Sequence, residues 1–378
     1  MEEIRVARET EYRELIDFLE LSYGHPQYFF QQRYPQIYRE DIANLNNNLL
    51  VVVDNKIVSH VGVYPLEIIS RNKIIFAGGI GGVATHPDYR GKGYMSKLLN
   101  FSIEKMKNEG YSISVLWGDR QRYRKFGYES VGCQLNFVVT MRSIEKAKIA
   151  IDEEIEIRKY NGAPDDLNKI ILLHEEEPLR VKRDRRAYAL LLEKADVSVW
   201  LGEKNGNIAY LVCSGNSIIE SGGEPLTFVS LVYKIMKYFN IPSFTVARPS
   251  VVSGINQMLY EIYSQLTVSE FVMLKIINLE DTLRRVLFSE REAEVKNEKI
   301  TLRIKESGEY ATLIFDDKVV VSKEYSDKVI ELKEVEMVKL IFGTLPESHQ
   351  RISIEPKILH LLQSIFPVDF FIWPLDYV

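Results

Sequence analysis

Apolar residues along the chain recur at two spacings, and the two alternate. LLVVVDN (residues 49–55), KIVSHVGVYPLEII (56–69), KIIFAGGIGGVAT (73–85) and YSISVLWG (111–118) are β-branched, near-continuous runs bounded by turn residues, which predicts four strands. Between the last two, Met95, Leu98, Leu99, Ser102, Ile103 and Met106 fall at helical spacing, and Gly110 ends the helix they predict. The strand and the helix meet at Arg90-Gly91-Lys92-Gly93, where the chain must turn sharply and present bare backbone N–H groups. Two glycines there let an anion approach those groups, the helix dipole adds to the attraction, and Arg90 and Lys92 bring counter-charge. Gly78, Gly79, Gly81 and Gly82 weaken the strand before the loop and mark a bulge or a close backbone approach.

The alternation continues past residue 145. A strand EIEIRKY, helices around LNKIILLHEEE and RRAYALLLEKA, and strands SVWLGEK and IAYLVCS joined at Asn205-Gly206 form a second block. The Asn-Gly pair between alternating runs predicts a hairpin. The helix PLTFVSLVYKIMKYF, strand SFTVARP, helix INQMLYEIYSQL and strand FVMLKII complete that block, and EEEPLRVKRDRR reads as a solvated charge run. A third block holds the helix LEDTLRRVLF, strands ITLRIKE and ATLIFDD, the helices EVEMVKLIFG and KILHLLQSIF, and the tail PVDFFIWPLDYV. The resulting division is 1–145, 150–278 and 279–378, with QLNFVVTMRS closing the first unit and EKAKIAIDEE as linker.

Composition narrows the function. With 378 residues, 46% hydrophobic, 27% charged and a net charge of −5, the chain is an ordinary globular mix, and bulk attraction to nucleic acid or to an anionic membrane is not expected. Cys133 and Cys213 lie far apart without metal-ligand spacing, which points to a reducing, cytoplasmic compartment. The acidic N-terminal segment has no apolar core of a signal peptide, and no apolar run reaches membrane-spanning length. His25, His60, His86, His174, His349 and His360 show no metal-binding spacing, so no metal is expected. The loop lacks the lysine-hydroxyl feature of a nucleotide P-loop, and no GxGxxG fingerprint precedes it.

The lead-in VATHPDY followed by RGKGYM resembles the Arg-x-x-Gly-x-Gly/Ala signature of GNAT-type N-acetyltransferases, with Met95 where most members carry Gly or Ala. That resemblance implies acetyl-CoA as cosubstrate. Its pyrophosphate would lie on Arg90, Gly91, Lys92, Gly93, Tyr94 and Met95, and its pantetheine arm would pair with Val83, Ala84 and Thr85. The segment DRQRYRKFGYESVG resembles the GNAT pattern in which a tyrosine, here Tyr123, faces the sulfur. A phenol of pKa about 10 can protonate a thiolate whose conjugate acid lies near 8.5. The aromatic segment SYGHPQYFFQQRYPQIY reads either as core or as the wall of an amine-binding cleft.

The order of blocks resembles the Eis family of acetyltransferases. The fold class expected is therefore α/β (α+β): two tandem GNAT-like mixed-sheet domains, the second degenerate and without a CoA loop, then a sterol-carrier-like domain. The implied reaction is direct acetyl transfer to a primary amine, an aminoglycoside or other polyamine, by a homohexamer or other homo-oligomer. In that family the base is the C-terminal carboxylate, here on Val378, where members more typically end in Phe. The apolar tail FFIWPLDYV is costly to leave in water, and its carboxylate needs a polar destination. The other reading of the tail only seals the third unit, with Asp376 as a surface charge. Two rivals stand beside this reaction: a non-catalytic acyl-CoA or lipid-binding module, which has no need of Tyr123, and acetylation of proteins or peptides.

Overall fold

A computed structural model describes residues 2–287, 297–344 and 354–378. Phe288, the last residue of the segment LEDTLRRVLF, and His349 lie outside the described residues. The first sheet is built from β1 (Glu2–Val6), β2 (Asn48–Val53), β3 (Lys56–Ser70), β4 (Lys73–Thr85), β5 (Ile113–Leu116) and β6 (Glu129–Val131). β1 to β4 are antiparallel neighbours, whereas β4 and β5 run parallel and are joined by the helix Tyr94–Asn108. That helix buries Leu98, Leu99, Ser102, Ile103 and Met106, the stripe read from spacing.

Two strand assignments from the sequence are corrected. Val272–Ile276, assigned to the second block, enters the first sheet between β5 and β6. Gln134–Thr140, expected to close the first unit, lies inside the second sheet between Tyr263–Ser269 and Ser243–Pro249. The two sheets therefore exchange a strand, and 145/150 is not the boundary between them. The physical reason is burial. Every residue of Val272–Ile276 is buried, so it needs the middle of a sheet, and period-2 patterning does not say which sheet. INQMLYEIYSQL also divides: Gly254–Ile262 is helical and Tyr263–Ser269 is an edge strand.

The second sheet repeats the architecture of the first. Asn205-Gly206 forms the expected hairpin turn, and Ser217–Gly223 pairs in parallel with Ser243–Pro249 across the helix Pro225–Phe239. At the start of that helix the Glu224 carboxylate accepts hydrogen bonds from Leu226 N and Thr227 N at 3.1 and 2.7 Å. A carboxylate thus holds the position where a phosphate would bind.

The third unit is a four-stranded sheet, ordered Val319–Ser322, Tyr310–Phe315, Glu298–Ile304, Val329–Leu332. Its core is continuous with the first sheet: Leu313, Phe315 and Phe342 share one buried cluster with Ile68, Ile75 and Val115. From there the tail crosses the molecule with Phe371, Ile372 and Trp373 fully buried, and Trp373 Nε1 donates to Leu179 O at 3.1 Å. No helix among the described residues is long and apolar enough to cross a membrane.

Candidate active site

β5 pairs with β4 only as far as Leu116 opposite Ile80. β4 runs on to Thr85, so residues 81–85 extend past their neighbour and the two strands diverge. Val83, Ala84 and Thr85 line a groove of about 510 Å³ together with Ser22, Tyr23, Arg90, Met95 and Arg122. Tyr23 Oη donates to Val83 O at 2.8 Å. Arg90 bridges the groove, donating to Thr85 O at 3.3 Å and to Ser22 O at 3.0 Å.

At the foot of the groove the helix Tyr94–Asn108 begins without a side-chain cap, and Gly93 stands at its N-cap with φ 81°. Nothing lies within 4 Å of where a Cβ on Gly91 or Gly93 would sit. The first N–H groups of the helix, at Tyr94 and Met95, thus have no side-chain cap, and the loop before them carries Arg90 and Lys92. This donor set fits a pyrophosphate. Lys92 Nζ rests 4.5 Å above the Tyr89 ring, a hold that keeps the ammonium near the loop.

Tyr123 closes the short helix Arg120–Tyr123, whose N-cap Asp119 accepts from Arg122 N. The ring is buried against Gly118, where an added Cβ would meet Tyr123 Cε2 at 2.5 Å. Burial pushes its phenol above the ordinary value, so it stays protonated at neutral pH. Beneath it Tyr128 is fully buried, with Oη 2.8 Å from Ser114 Oγ. Glu129 ties Arg120 and Arg124 to the same turn.

Val378 arrives at the same divergence from the other side. Tyr377 stacks on Trp117, the residue after β5, at 4.1 Å between ring centroids. Trp117 thus touches the tail while its neighbour Gly118 touches Tyr123. The Val378 carboxyl carbon lies 3.0 Å from where a Cβ on Gly81 would be, and its Cγ2 lies 2.7 Å from that of Gly79. Gly79 and Gly81 sit on one face of β4, and the absence of their side chains makes room for the terminal residue.

The tail is held by a buried ionic latch that the sequence reading missed. Arg183 donates to Asp376 at 2.7 Å from two nitrogens and to both oxygens of Glu220, at 3.2 and 2.5 Å. Lys194 Nζ donates to Leu375 O at 2.7 Å, and burial lowers its pKa to about 7. Asp376 is not a surface charge, nor is EEEPLRVKRDRR a solvated run: Leu179–Val181 pairs with β3, and Glu177 and Arg183 are buried. A lone acid in an otherwise apolar tail was the available signal, since a buried carboxylate requires a cation. His174 lies beside Glu220 and Asp376, but Arg183 already occupies those carboxylates.

β3 also carries the titratable groups His60 and Glu67. His60 is fully buried, its Nδ1 2.6 Å from Gly82 O and its Nε2 2.9 Å from Asn48 Oδ1, which leaves no free nitrogen for a base. Glu67 is half-buried and paired with Lys182 at 2.7 Å. Of the aromatic segment, Phe30 and Tyr38 are core, and Tyr23 lines the groove beside Val83, Ala84 and Thr85.

A sequence model described as the acetyltransferase (GNAT) domain matches residues 3–131. This segment is a GNAT acetyltransferase domain. Among curated protein sequences, none matches the chain. Solved structures of the same fold span its whole length. A protein from Enterococcus faecalis described as a probable N-acyltransferase has a TM-score of 0.77 at 16% identity, covering all of both chains. A GCN5-related N-acetyltransferase from Kribbella flavida has a TM-score of 0.75 at 17% identity, over 100% of this chain and 98% of that one. Eis1 from Mycobacterium abscessus has a TM-score of 0.71 at 12% identity, over 98% and 99%. These identities establish the fold, an Eis-like α/β architecture with tandem GNAT-like sheets. In the GNAT domain itself, the sequence match and the open loop coincide.

Proposed function

We propose that the protein transfers acetyl from acetyl-CoA directly to a primary amine, with Tyr123 as general acid and the Val378 carboxylate as general base. The observation that carries this is the seat of Val378, against the glycine face of β4 where β4 and β5 part. Bound along residues 83–95, acetyl-CoA supplies the activated acetyl thioester. The carboxylate accepts a proton from the amine as its nitrogen attacks, either directly or through one water. Tyr123 holds a proton at Oη for the departing sulfur. Backbone N–H groups of the diverging segment of β4 are the donors available to polarise the carbonyl. Tyr64 and Leu66 lie beside the seat of Val378, and Trp117 stacks on Tyr377 next to it.

The second sheet works without a CoA site in this reading, which Glu224 at its helix start supports. The C-terminal unit, sterol-carrier-like in outline, acts as a packing module that delivers the tail; its core, shared with the first sheet, favours this over lipid carriage. Unpaired Cys133 and Cys213 accord with a reducing, cytoplasmic setting.

The test is thiol release from acetyl-CoA with a panel of amines, run beside a chain extended by one Gly after Val378. The extension moves the carboxylate by about 3.8 Å and deletes no packing. Loss of turnover with retained acetyl-CoA binding is expected. Full activity in the extended, folded chain rules the carboxylate out.

A further inference from the structure

The acceptor side of the site is a cavity of about 770 Å³ that opens against Val378. Its volume suits a small organic molecule. Tyr64, Leu66, Phe76 and Leu191 give it an apolar body, and Phe76 is 39% exposed into solvent although it lies on a central strand.

The charges around this body are nearly all spoken for. Glu67 is bound to Lys182 at 2.7 Å, and Glu109 to Lys105. Asp376 is held by Arg183 at 2.7 Å. Arg285 is bound to Asp281 at 2.6 Å and lies 4.5 Å over the Phe76 ring. Of the lining groups, Glu67, Glu109, Asp376 and the Val378 carboxylate are negative, while Lys182, Arg183 and Arg285 are positive. Glu67, Glu109 and Asp376 each have a cation, and the Val378 carboxylate, at the catalytic end, pairs with no cation among the described residues.

A polycation needs several separated anions, and in this cavity Glu67, Glu109 and Asp376 already carry Lys182, Lys105 and Arg183. A single amine on an apolar body meets the carboxylate with its nitrogen and Phe76, Leu66 and Tyr64 with the rest. We infer that the acceptor is a monoamine on an apolar body, of the arylalkylamine or alkylamine class, and not an aminoglycoside or polyamine. This rests on the acetyl-transfer reading above and adds the substrate class to it.

The test compares kcat/KM for phenethylamine, hexylamine, spermidine and kanamycin with acetyl-CoA, following thiol release and N-acetyl product by mass spectrometry. Phenethylamine is expected to exceed spermidine and kanamycin by about ten- to hundredfold, the preference that burial of one ring confers. A second arm uses Lys182→Glu, which should shift the spermidine-to-phenethylamine ratio at least about tenfold toward spermidine. Preference of the wild-type chain for spermidine or kanamycin overturns the monoamine class and leaves acetyl transfer standing. If no amine is turned over while acetyl-CoA binds, it is the transfer reading that fails. Calorimetry of the four amines with the acetyl-CoA-loaded protein then still decides the cavity's preference: tighter phenethylamine supports the inference, and tighter spermidine, or no binding by any of the four, overturns it.

Discussion

Gly81→Ala probes the placement of the terminal carboxylate without touching a titratable group. The new Cβ would stand 3.0 Å from the carboxyl carbon of Val378, 3.3 Å from its oxygen and 3.1 Å from Tyr64 Cε2. Carbon–carbon contacts relax to about 3.5–4.0 Å, so the carboxyl must recede by about 0.5–1 Å. A misplacement of about 1 Å can cost on the order of 10²-fold in rate, and overpacking of this kind about 1–3 kcal/mol in stability. Gly81→Ala should therefore lower kcat roughly 10–100-fold, with acetyl-CoA affinity changed less, because the clash is with Val378 and Tyr64 and not with residues 83–95. Gly79→Ala is the internal control. Its Cβ would meet Val378 Cγ2, the end of a side chain, at 2.7 Å. Gly79→Ala should accordingly be relieved by Val378→Ala, whereas Gly81→Ala should not, since its clash is with atoms every terminal residue carries. The assay is steady-state thiol release with separate kcat and KM, beside thermal unfolding and calorimetry with acetyl-CoA. Wild-type kcat in a folded Gly81→Ala protein would refute a catalytic role for that carboxylate.

Three further outcomes are expected. Gly93→Val should weaken acetyl-CoA binding at least about tenfold by calorimetry, because a branched side chain enters the approach to the N–H groups and the positive φ adds about 1–2 kcal/mol of strain; unchanged affinity would mean the pyrophosphate lies elsewhere. Tyr123→Phe should leave acetyl-CoA affinity nearly intact and lower kcat by roughly 10²–10⁴-fold, and undiminished turnover would reduce the ring to packing. Burial lowers the His60 pKa from 6.5 to about 4. The unfolded chain then binds the extra proton first as pH falls, so stability is fully present above about pH 6.5 and declines toward pH 4, by about 3 kcal/mol in total. Denaturant unfolding across that range should show the slope, and His60→Gln should flatten it; an equal slope in both would place the acid sensitivity in other groups.

The exchange of Gln134–Thr140 for Val272–Ile276 has a mechanical consequence. Val272–Ile276 separates β5 from β6, and its Lys275 is bound to Glu334 of the helix Glu334–Phe342. The turn that carries Tyr123 lies between β5 and β6 in the chain. Both candidate catalytic groups are thus braced by segments far away in sequence, one by this strand and the other by the Arg183–Asp376–Glu220 latch. Removing one partner of such a buried ionic group costs about 3–5 kcal/mol, because the remaining charges stay buried without compensation.

The sequence by itself determined the features whose causes are local. The glycine pair at Gly91 and Gly93, the helical stripe from Met95 to Met106, the Asn205-Gly206 turn and the apolar tail follow from backbone freedom, spacing and burial within a few residues. For that reason the glycine loop, the helix behind it and the order of most elements were legible. Tyr123 and Val378 were also legible as candidates, through family resemblance, but the contacts that seat them were not. Which sheet received Val272–Ile276, which acid met Arg183, and what lay over Gly79 and Gly81 were decided only in the tertiary structure. A strand's alternation fixes its face and not its partner, and a charge run does not reveal which of its members will be buried. Those choices are made by contacts between residues far apart in the chain, such as Arg183 with Asp376, 193 positions away, where no local pattern carries the information.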